Sequence, residues 1–299
     1  MTLFYADIFN IPLPPGHRFP GEKYRMLRED MLRQGIVGPH ELELSPPASR
    51  ADLLRAHTAG YVDAFLAGGL SADSMRRIGL PWSEHLAQRT LATMGGAIAA
   101  MRAALQDGFS GQLAGGTHHA HADFGAGYCV FNDFAIAALT ALEEGLAARI
   151  AIVDLDVHQG DGNAAILAAN PAMFVFSMHG EKNFPFRKAI STLDIALADG
   201  TGDDAYLHRL HGGLEAVLGF RPDLVLYQAG VDALAQDRLG RLALTYEGLI
   251  ARDRLVFETF AKAGIPLSLG IGGGYADPIS LSVAAYANSF ATAKAVYRT

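Results

Sequence analysis

The chain has 299 residues, of which 50% are hydrophobic, 18% are charged and 33 are glycine, a composition that excludes a disordered or fibrous protein. The net charge of −7 argues against a general nucleic-acid surface, which requires clustered Lys and Arg side chains. A chain of this length without an evident linker is expected to form a single packed domain over residues 1–299. No apolar run reaches the about 18 residues that a membrane span requires, so we expect no membrane contact.

Cysteine usage and the first residues favour a cytoplasmic location. Cys129 is the one cysteine, so no disulfide can form within the chain. The first 16 residues show no basic segment ahead of an apolar run, which a secretory leader would need. We therefore expect the protein in the reducing cytoplasm; the sequence leaves its oligomeric state open.

Apolar runs of strand length alternate with stretches of helical period along the chain. In chain order the pattern predicts helices at Arg50–Ala67, Glu84–Leu105 and Asn132–Gly145, strands at Arg149–Val157 and Ala172–Met178, a helix at Asp203–Val217, a strand at Asp223–Val231, a helix at Tyr246–Ala263, a strand at Ile265–Ile271 and a helix at Ile279–Val296. The fold class is therefore α/β, in three α/β/α layers around a mostly parallel sheet. Ligands of such sheets bind at the carboxyl ends of the strands.

Chemically active side chains collect at those predicted strand ends. Asp154, Asp156 and His158 alternate at the end of the first predicted strand, as residues on one side of an extended backbone do, and Asp232 follows the third. Two carboxylates and one imidazole, Asp156, His158 and Asp232, would make an open zinc site with a position left for water. A dication would compensate carboxylates that are otherwise unfavourable to bury.

A pair of adjacent histidines, His118 and His119, lies on a glycine-rich loop upstream. An imidazole held by a carboxylate is suited to proton transfer, and Asp154 and Asp161 are available for that role. The alternative is that both histidines are ordinary surface residues of the loop. Tyr275 follows the glycines of GIGGGY and is expected at the rim of the site.

Three other kinds of site fit parts of the pattern less well. Gly160, Gly162 and Ala165 satisfy a dinucleotide-binding fingerprint, but the carboxylates beside them would repel a pyrophosphate. A binuclear hydrolase would need more ligands than Asp237 adds. Cys129 has the nearby histidines that a nucleophile requires, yet its apolar neighbours favour a buried, inert thiol.

Five segments together resemble the histone deacetylase superfamily. Its members have an arginase-like α/β fold and hydrolyse N-acyl-lysine or related acyl-amines. In order, they read GGTHHAHADFGAGYCVFNDFAIAA, VDLDVHQGDGNAAI, FSMHGEKNFPF, LVLYQAGVDALAQDRLGRL and GIGGGYAD. Details are most similar to the class IV branch, including Gln159 where the larger classes carry a second histidine. A glutamine cannot titrate, so any role of that histidine is changed here.

The resemblance implies a role for each of these residues. Asp156, His158 and Asp232 would hold one catalytic zinc ion, and His118 and His119 would transfer protons, supported by Asp154 and Asp161 respectively. His119 would take a proton from the attacking water, while Tyr275 would donate its phenol to the developing oxyanion. A structural potassium ion would bind the segment of Asp154 together with Ser177 and Met178.

The same resemblance implies an acyl-lysine tunnel. Gly127 and Tyr128 match the family's tunnel-lining pair, and Gly273 belongs to the glycine loop beside the site. Phe184 and Phe186, in the segment 180–204 where substrate choice should reside, would form the second wall or pack beneath the loop. Lys23 and Arg25 would reach the foot of the tunnel or lie on a solvated helix face. The substrate would be an acyl-lysine peptide or protein; the alternatives are a small acyl-amine such as an acetylpolyamine, or acyl-group binding without turnover.

Overall fold

A computed structural model describes residues 1–297. Within them the fold is built around one eight-stranded sheet. The strands are β1 (Leu3–Tyr5), β2 (Leu42–Leu44), β3 (Phe109–Gln112), β4 (Ile150–Asp154), β5 (Met173–Gly180), β6 (Leu193–Leu197), β7 (Leu224–Gln228) and β8 (Leu267–Gly270). Their order across the sheet is β2-β1-β3-β8-β7-β4-β5-β6, and every ladder in it is parallel. The parallel sheet predicted from the sequence is confirmed.

Helices cover both faces of this sheet. They are α1 (Lys23–Arg33), α2 (Arg50–Leu54), α3 (Ala59–Leu66), α4 (Ala72–Ile78), α5 (Glu84–Asp107), α6 (Asp133–Glu143), α7 (Asp161–Leu167), α8 (Asp203–Phe220), α9 (Tyr246–Lys262) and α10 (Ser280–Val296). Successive residues of β4 show the two layers. Ala151 and Val153 pack in the core that contains α1 and α8 to α10, whereas Ile150 and Ile152 pack in the core that contains α2 to α7. This is the three-layer α/β/α arrangement expected.

The predicted helix Arg50–Ala67 is wrong, because the structure has two helices there. Ser49 accepts a hydrogen bond from the Asp52 N–H and begins α2, which ends at Leu54. Between the helices, the His57 imidazole turns inward and its Nε2 accepts the Asn132 N–H at 2.9 Å. A contact between residues so distant in the chain leaves no periodic signal in the sequence.

The strands at the sheet margins were not predicted. β1, β2 and β3 have only three or four residues, and β6, at the edge of the sheet, is largely solvent-accessible, with Leu197 its one buried residue. The central strand β4 is also shorter than predicted, since it ends at Asp154 rather than at Val157. Asp156 and His158 therefore lie on a bent loop, and their side chains are brought together by the bend and not by strand alternation.

Candidate active site

A cavity of about 560 Å³ opens at the carboxyl edge of the sheet. Its walls come from the loops that follow β3, β4 and β8 and from the segment after β5. Because β3, β8, β7, β4 and β5 are consecutive parallel neighbours, these loops emerge side by side. Asp156, His158, His118, His119 and Tyr275 all line this cavity.

Asp156, His158 and Asp232 converge at its base. His158 Nδ1 lies 3.0 Å from Asp156 Oδ1 and 3.0 Å from Asp232 Oδ2. One ligand atom from each residue lies within 4.8 Å of the others. The bent loop after β4 is fixed to this cluster by the Val157 N–H, which donates to Asp232 Oδ1 at 2.9 Å. Three ligands each about 2.1 Å from a tetrahedral zinc ion would be separated by roughly 3.4 Å, so the cluster has the size of a zinc site.

The charge of this cluster also suits a cation. Burial, and then the charge of Asp156, raises the pKa of Asp232 to about 7. Burial alone would lower the pKa of His158, but hydrogen bonding to Asp156 and Asp232 outweighs it and raises that pKa to about 10. The two buried carboxylates therefore favour a positive charge bound between them. Two carboxylate oxygens and one imidazole nitrogen are also a set of ligands that zinc accepts.

Each histidine of the adjacent pair is held by its own carboxylate. His118 Nδ1 lies 2.8 Å from Asp154 Oδ2, and His119 Nδ1 lies 2.6 Å from Asp161 Oδ1. Both rings are buried, with their centroids 4.1 Å apart. Since Nδ1 is engaged in each ring, Nε2 is the nitrogen left for a substrate or water. The alternative of two surface histidines is excluded by this burial.

Burial lowers the intrinsic basicity of both imidazoles, but their neighbours differ. The charges of Asp154 and Asp156 outweigh burial at His118 and raise its pKa to about 9. At His119, burial and then the adjacent His118 dominate and lower the pKa to about 4. The two rings are thus separated into a proton-holding and a proton-accepting member.

The cavity walls next to His119 are a glycine and two aromatic rings. A Cβ at Gly127, whose φ is +56°, would lie 2.7 Å from His119 Cδ2, so only glycine fits there. The Phe184 ring packs at 4.9 Å from the His119 ring, while Tyr128 lines the same cavity. Phe186 is 87% exposed at the mouth. The structure thus brings Gly127, Tyr128 and Phe184 together as cavity walls.

Tyr275 reaches the cavity from the loop after β8. The Tyr275 N–H donates to Asp237 Oδ2 at 2.6 Å, and burial raises the pKa of its phenol well above the usual value. Gly273 lies against the metal-site candidates: its N–H donates to Asp156 Oδ2 at 2.6 Å, and an added Cβ would collide with the Asp232 carboxylate. This loop therefore joins the tyrosine to the carboxylate cluster.

Lys23, unlike Arg25, is part of the supporting structure of the site. Its side chain is 1% exposed, and its Nζ donates to the carbonyls of Gly272 and Gly274 at 3.2 and 3.4 Å. It also lies 5.4 Å from the centre of the Tyr275 ring. Burial lowers its pKa to about 8. Arg25 is exposed.

The three residues expected at a potassium ion lie on adjacent strands. Asp154 of β4 pairs in register with Ser177 of β5, and Met178 follows it. All three are buried. Ser177 Oγ lies 3.0 Å from His179 Nδ1.

The remaining alternatives find structural explanations. A Cβ at Gly160 would meet the Asp154 carboxylate and one at Gly162 would meet the Ala120 carbonyl, so these glycines make room for the histidine loop. Cys129 is buried at the cavity wall, where burial raises the pKa of its thiol well above the usual value. Asp237 accepts backbone N–H groups from Leu239, Gly240 and Tyr275, and thereby supports the loops that follow β7 and β8.

Sequence reasoning missed a third histidine and the use made of Gln159. His121 Nε2 lies 3.0 Å from Asp161 Oδ2, so that carboxylate is shared by two imidazoles. Its position in HHAH was a visible signal. Gln159 bonds to the segment after β5, with its Nε2 donating to Asp194 and to the Ala189 carbonyl. That contact had no signal in the sequence.

The chain matches the histone deacetylase domain over residues 17–290. An uncharacterized protein from Picosynechococcus is 48% identical over 92% of this chain and 92% of its own length. A histone deacetylase-like amidohydrolase from Pseudomonas aeruginosa is 30% identical over 93% of this chain and 77% of its own length. The crystal structure of a histone deacetylase homologue from Aquifex aeolicus superimposes with a TM-score of 0.83 at 22% identity, covering 100% of this chain and 88% of that one. Within residues 1–297, no helix is long and apolar enough to cross a membrane.

Proposed function

Because the chain belongs to the histone deacetylase domain family, we propose that it is a zinc-dependent hydrolase that removes the acyl group from N-acylated lysine or a related acyl-amine. The observation that carries this proposal is the convergence of Asp156, His158 and Asp232 with two histidine–carboxylate pairs in one cavity. Metal ligands and proton-transfer groups are the two components that metal-assisted amide hydrolysis requires.

Asp156, His158 and Asp232 would hold the zinc ion, with His158 using Nδ1. Bound zinc supplies a Lewis acid that polarises the amide carbonyl and lowers the pKa of a water molecule. The Gly273 N–H and the Val157 N–H orient the two carboxylates through hydrogen bonds of 2.6 and 2.9 Å. A potassium ion beside Asp154, Ser177 and Met178 would be structural.

His119 takes the proton from the attacking water, and Asp161 fixes its tautomer. A carboxylate on Nδ1 keeps that nitrogen protonated and leaves Nε2 as the acceptor toward the cavity. His118 is fixed in the same way by Asp154 and stabilises the charge that develops beside it. The proton taken from the water is returned to the leaving amine by one of these two histidines, each of which stays held by its own carboxylate.

Tyr275 donates its phenol to the oxyanion of the tetrahedral intermediate. Burial keeps the phenol protonated at neutral pH, as a donor requires. Tyr128, Gly127 and Phe184 line the channel through which the lysine methylenes pass. Gly273 allows the loop of Tyr275 to approach the metal ligands closely.

In this proposal residues 1–299 form a single catalytic domain, and the protein belongs to the class IV branch. We also propose that the protein is cytoplasmic. Gln159 in the HQGDG segment is the feature that favours the branch. A small acyl-amine is the alternative substrate, since the name of the Pseudomonas relative, a histone deacetylase-like amidohydrolase, specifies the amide bond and not the amine.

The decisive experiment measures hydrolysis of ε-N-acyl-lysine peptides from acetyl to myristoyl, with acetylated polyamines as competitors. We expect turnover that peaks at one chain length, disappears after chelation and returns with zinc. His119→Ala, which removes the proposed base, is the matched inactive control. Cleavage of acetylpolyamines alone would assign the small-molecule activity, and no turnover on any substrate would overturn hydrolysis.

A further inference from the structure

A fully buried ion pair, Arg252 and Asp253 on α9, lies beneath the candidate active site. Arg252 is 0% exposed and Asp253 is 1% exposed. The Arg252 Nε donates to Asp253 Oδ1 at 2.8 Å. Burying two charges is unfavourable unless their remaining hydrogen-bonding groups are satisfied, and such a pair contributes little net stability compared with apolar residues. The partners of the pair therefore indicate what it does.

Two hydroxyl groups fix Asp253 in place. The Tyr227 phenol of β7 donates to Asp253 Oδ1 at 2.5 Å, and the Ser289 hydroxyl of α10 donates to Oδ2. Together with Arg252 of α9, these contacts hold the carboxylate from three elements of the fold, β7, α9 and α10. Since Asp253 in turn holds the guanidinium of Arg252, the position of that guanidinium is set by the sheet and by α10 as well as by α9.

The other side of the guanidinium contacts two loops that carry candidate metal ligands. Arg252 Nη1 donates to the Gly230 carbonyl at 2.5 Å and lies 3.5 Å from the Leu155 carbonyl. Leu155 immediately precedes Asp156, and Gly230 lies two residues before Asp232. Gly230 also packs directly on Asp156, because an added Cβ there would collide with the Asp156 carboxylate.

We propose that Arg252, held by Asp253, is a positioning residue that sets the spacing of the two loops carrying the metal ligands Asp156 and Asp232. The inference rests on the proposed zinc site. One rigid guanidinium bridges both loop backbones, so the two carboxylates are preorganised before the ion binds. Loss of the bridge leaves two buried carbonyls without this donor, and the loops relax away from ligand geometry.

The test compares zinc affinities, measured by competition with a chromogenic chelator, and needs no catalytic assay. Arg252→Met should raise the zinc Kd by about 10- to 100-fold, the range typical of residues that support metal ligands. Arg252→Lys should give an intermediate Kd, because an ammonium still donates to one carbonyl. Arg55→Met is the control: Arg55 is a half-buried cation paired with Asp52 and Glu143, away from the ligand loops and from the cavity lining.

Two milder variants keep the test decisive if Arg252→Met does not fold. Tyr227→Phe and Ser289→Ala each free one side of Asp253 and should raise the zinc Kd by less than Arg252→Met does, and by more when combined. Folded variants with the wild-type Kd would overturn the positioning role. A wild-type protein that binds no zinc would instead overturn the proposed function, so the two failures are distinguishable.

Discussion

Gln159 and Asp194 are joined by a 2.7 Å hydrogen bond between the side-chain amide and the carboxylate. The same amide also exchanges two hydrogen bonds with the Ala189 backbone, donating at 3.0 Å and accepting at 2.8 Å. The residue next to His158 thereby fastens the segment that carries Phe184 to the base of the cavity. A glutamine suits this task because one side chain both donates and accepts.

Gln159→Ala should release this segment and weaken substrate binding. Removal of these hydrogen bonds corresponds to about 1–2 kcal/mol, so we expect KM to rise by roughly tenfold with a smaller change in kcat. Steady-state kinetics with the preferred acyl-lysine peptide, together with amide hydrogen exchange over residues 187–194, would measure both effects. Unchanged KM and unchanged exchange would show that the segment is held by other contacts.

Tyr275→Phe should lower kcat by about 100-fold or more, because it removes one donor to the oxyanion. Its zinc Kd and melting temperature should stay at the wild-type values, since the phenol is not a metal ligand. Tyr128→Phe is the matched control, as it keeps an aromatic ring in the wall and removes a hydroxyl with no proposed catalytic role. Equal kcat values for Tyr275→Phe and wild type would remove Tyr275 from the mechanism.

Asp232→Ala should lose the zinc ion, because an imidazole and one carboxylate rarely hold zinc alone. Asp237→Ala should keep it, since the hydrogen bonds that Asp237 accepts from the described part of the chain come from backbone N–H groups. Metal content after dialysis would compare the two variants, and the wild type should contain one zinc ion per chain. Two ions per chain, or zinc retained by Asp232→Ala, would contradict this assignment of ligands.

The parts of the fold that the sequence predicted are those with strong local signals. β4 and β7 are apolar on both faces, and the residues after them are acidic, so both the sheet and the place of the site could be predicted. The role of Arg252 could not be predicted, because only the folded chain brings its side chain to the Gly230 carbonyl. The break in the predicted helix Arg50–Ala67 likewise coincides with a long-range contact, since His57 at the break accepts the Asn132 N–H.

His57 also makes stability depend on pH. Its buried ring accepts the Asn132 N–H at Nε2, and its Nδ1 donates to the His121 carbonyl at 2.9 Å, so the folded protein holds it neutral. Burial lowers its pKa to about 4, whereas the unfolded value is about 6.5. Between these two pH values the unfolded chain binds more protons than the folded protein does. The contribution of His57 to the free energy of unfolding is therefore complete above pH about 6.5 and decreases as the pH falls, by about 3 kcal/mol in total.

His57→Gln should therefore be less stable than wild type at pH 7, with a gap that narrows as pH falls to 4.5. Urea unfolding at a series of pH values would measure both proteins, and contributions from the carboxylates cancel in the difference. His85→Gln, at an exposed position, should follow the wild-type pH dependence throughout. If the gap between His57→Gln and wild type stays constant across this range, His57 does not titrate on unfolding and its neutral, buried state is not the source of acid sensitivity.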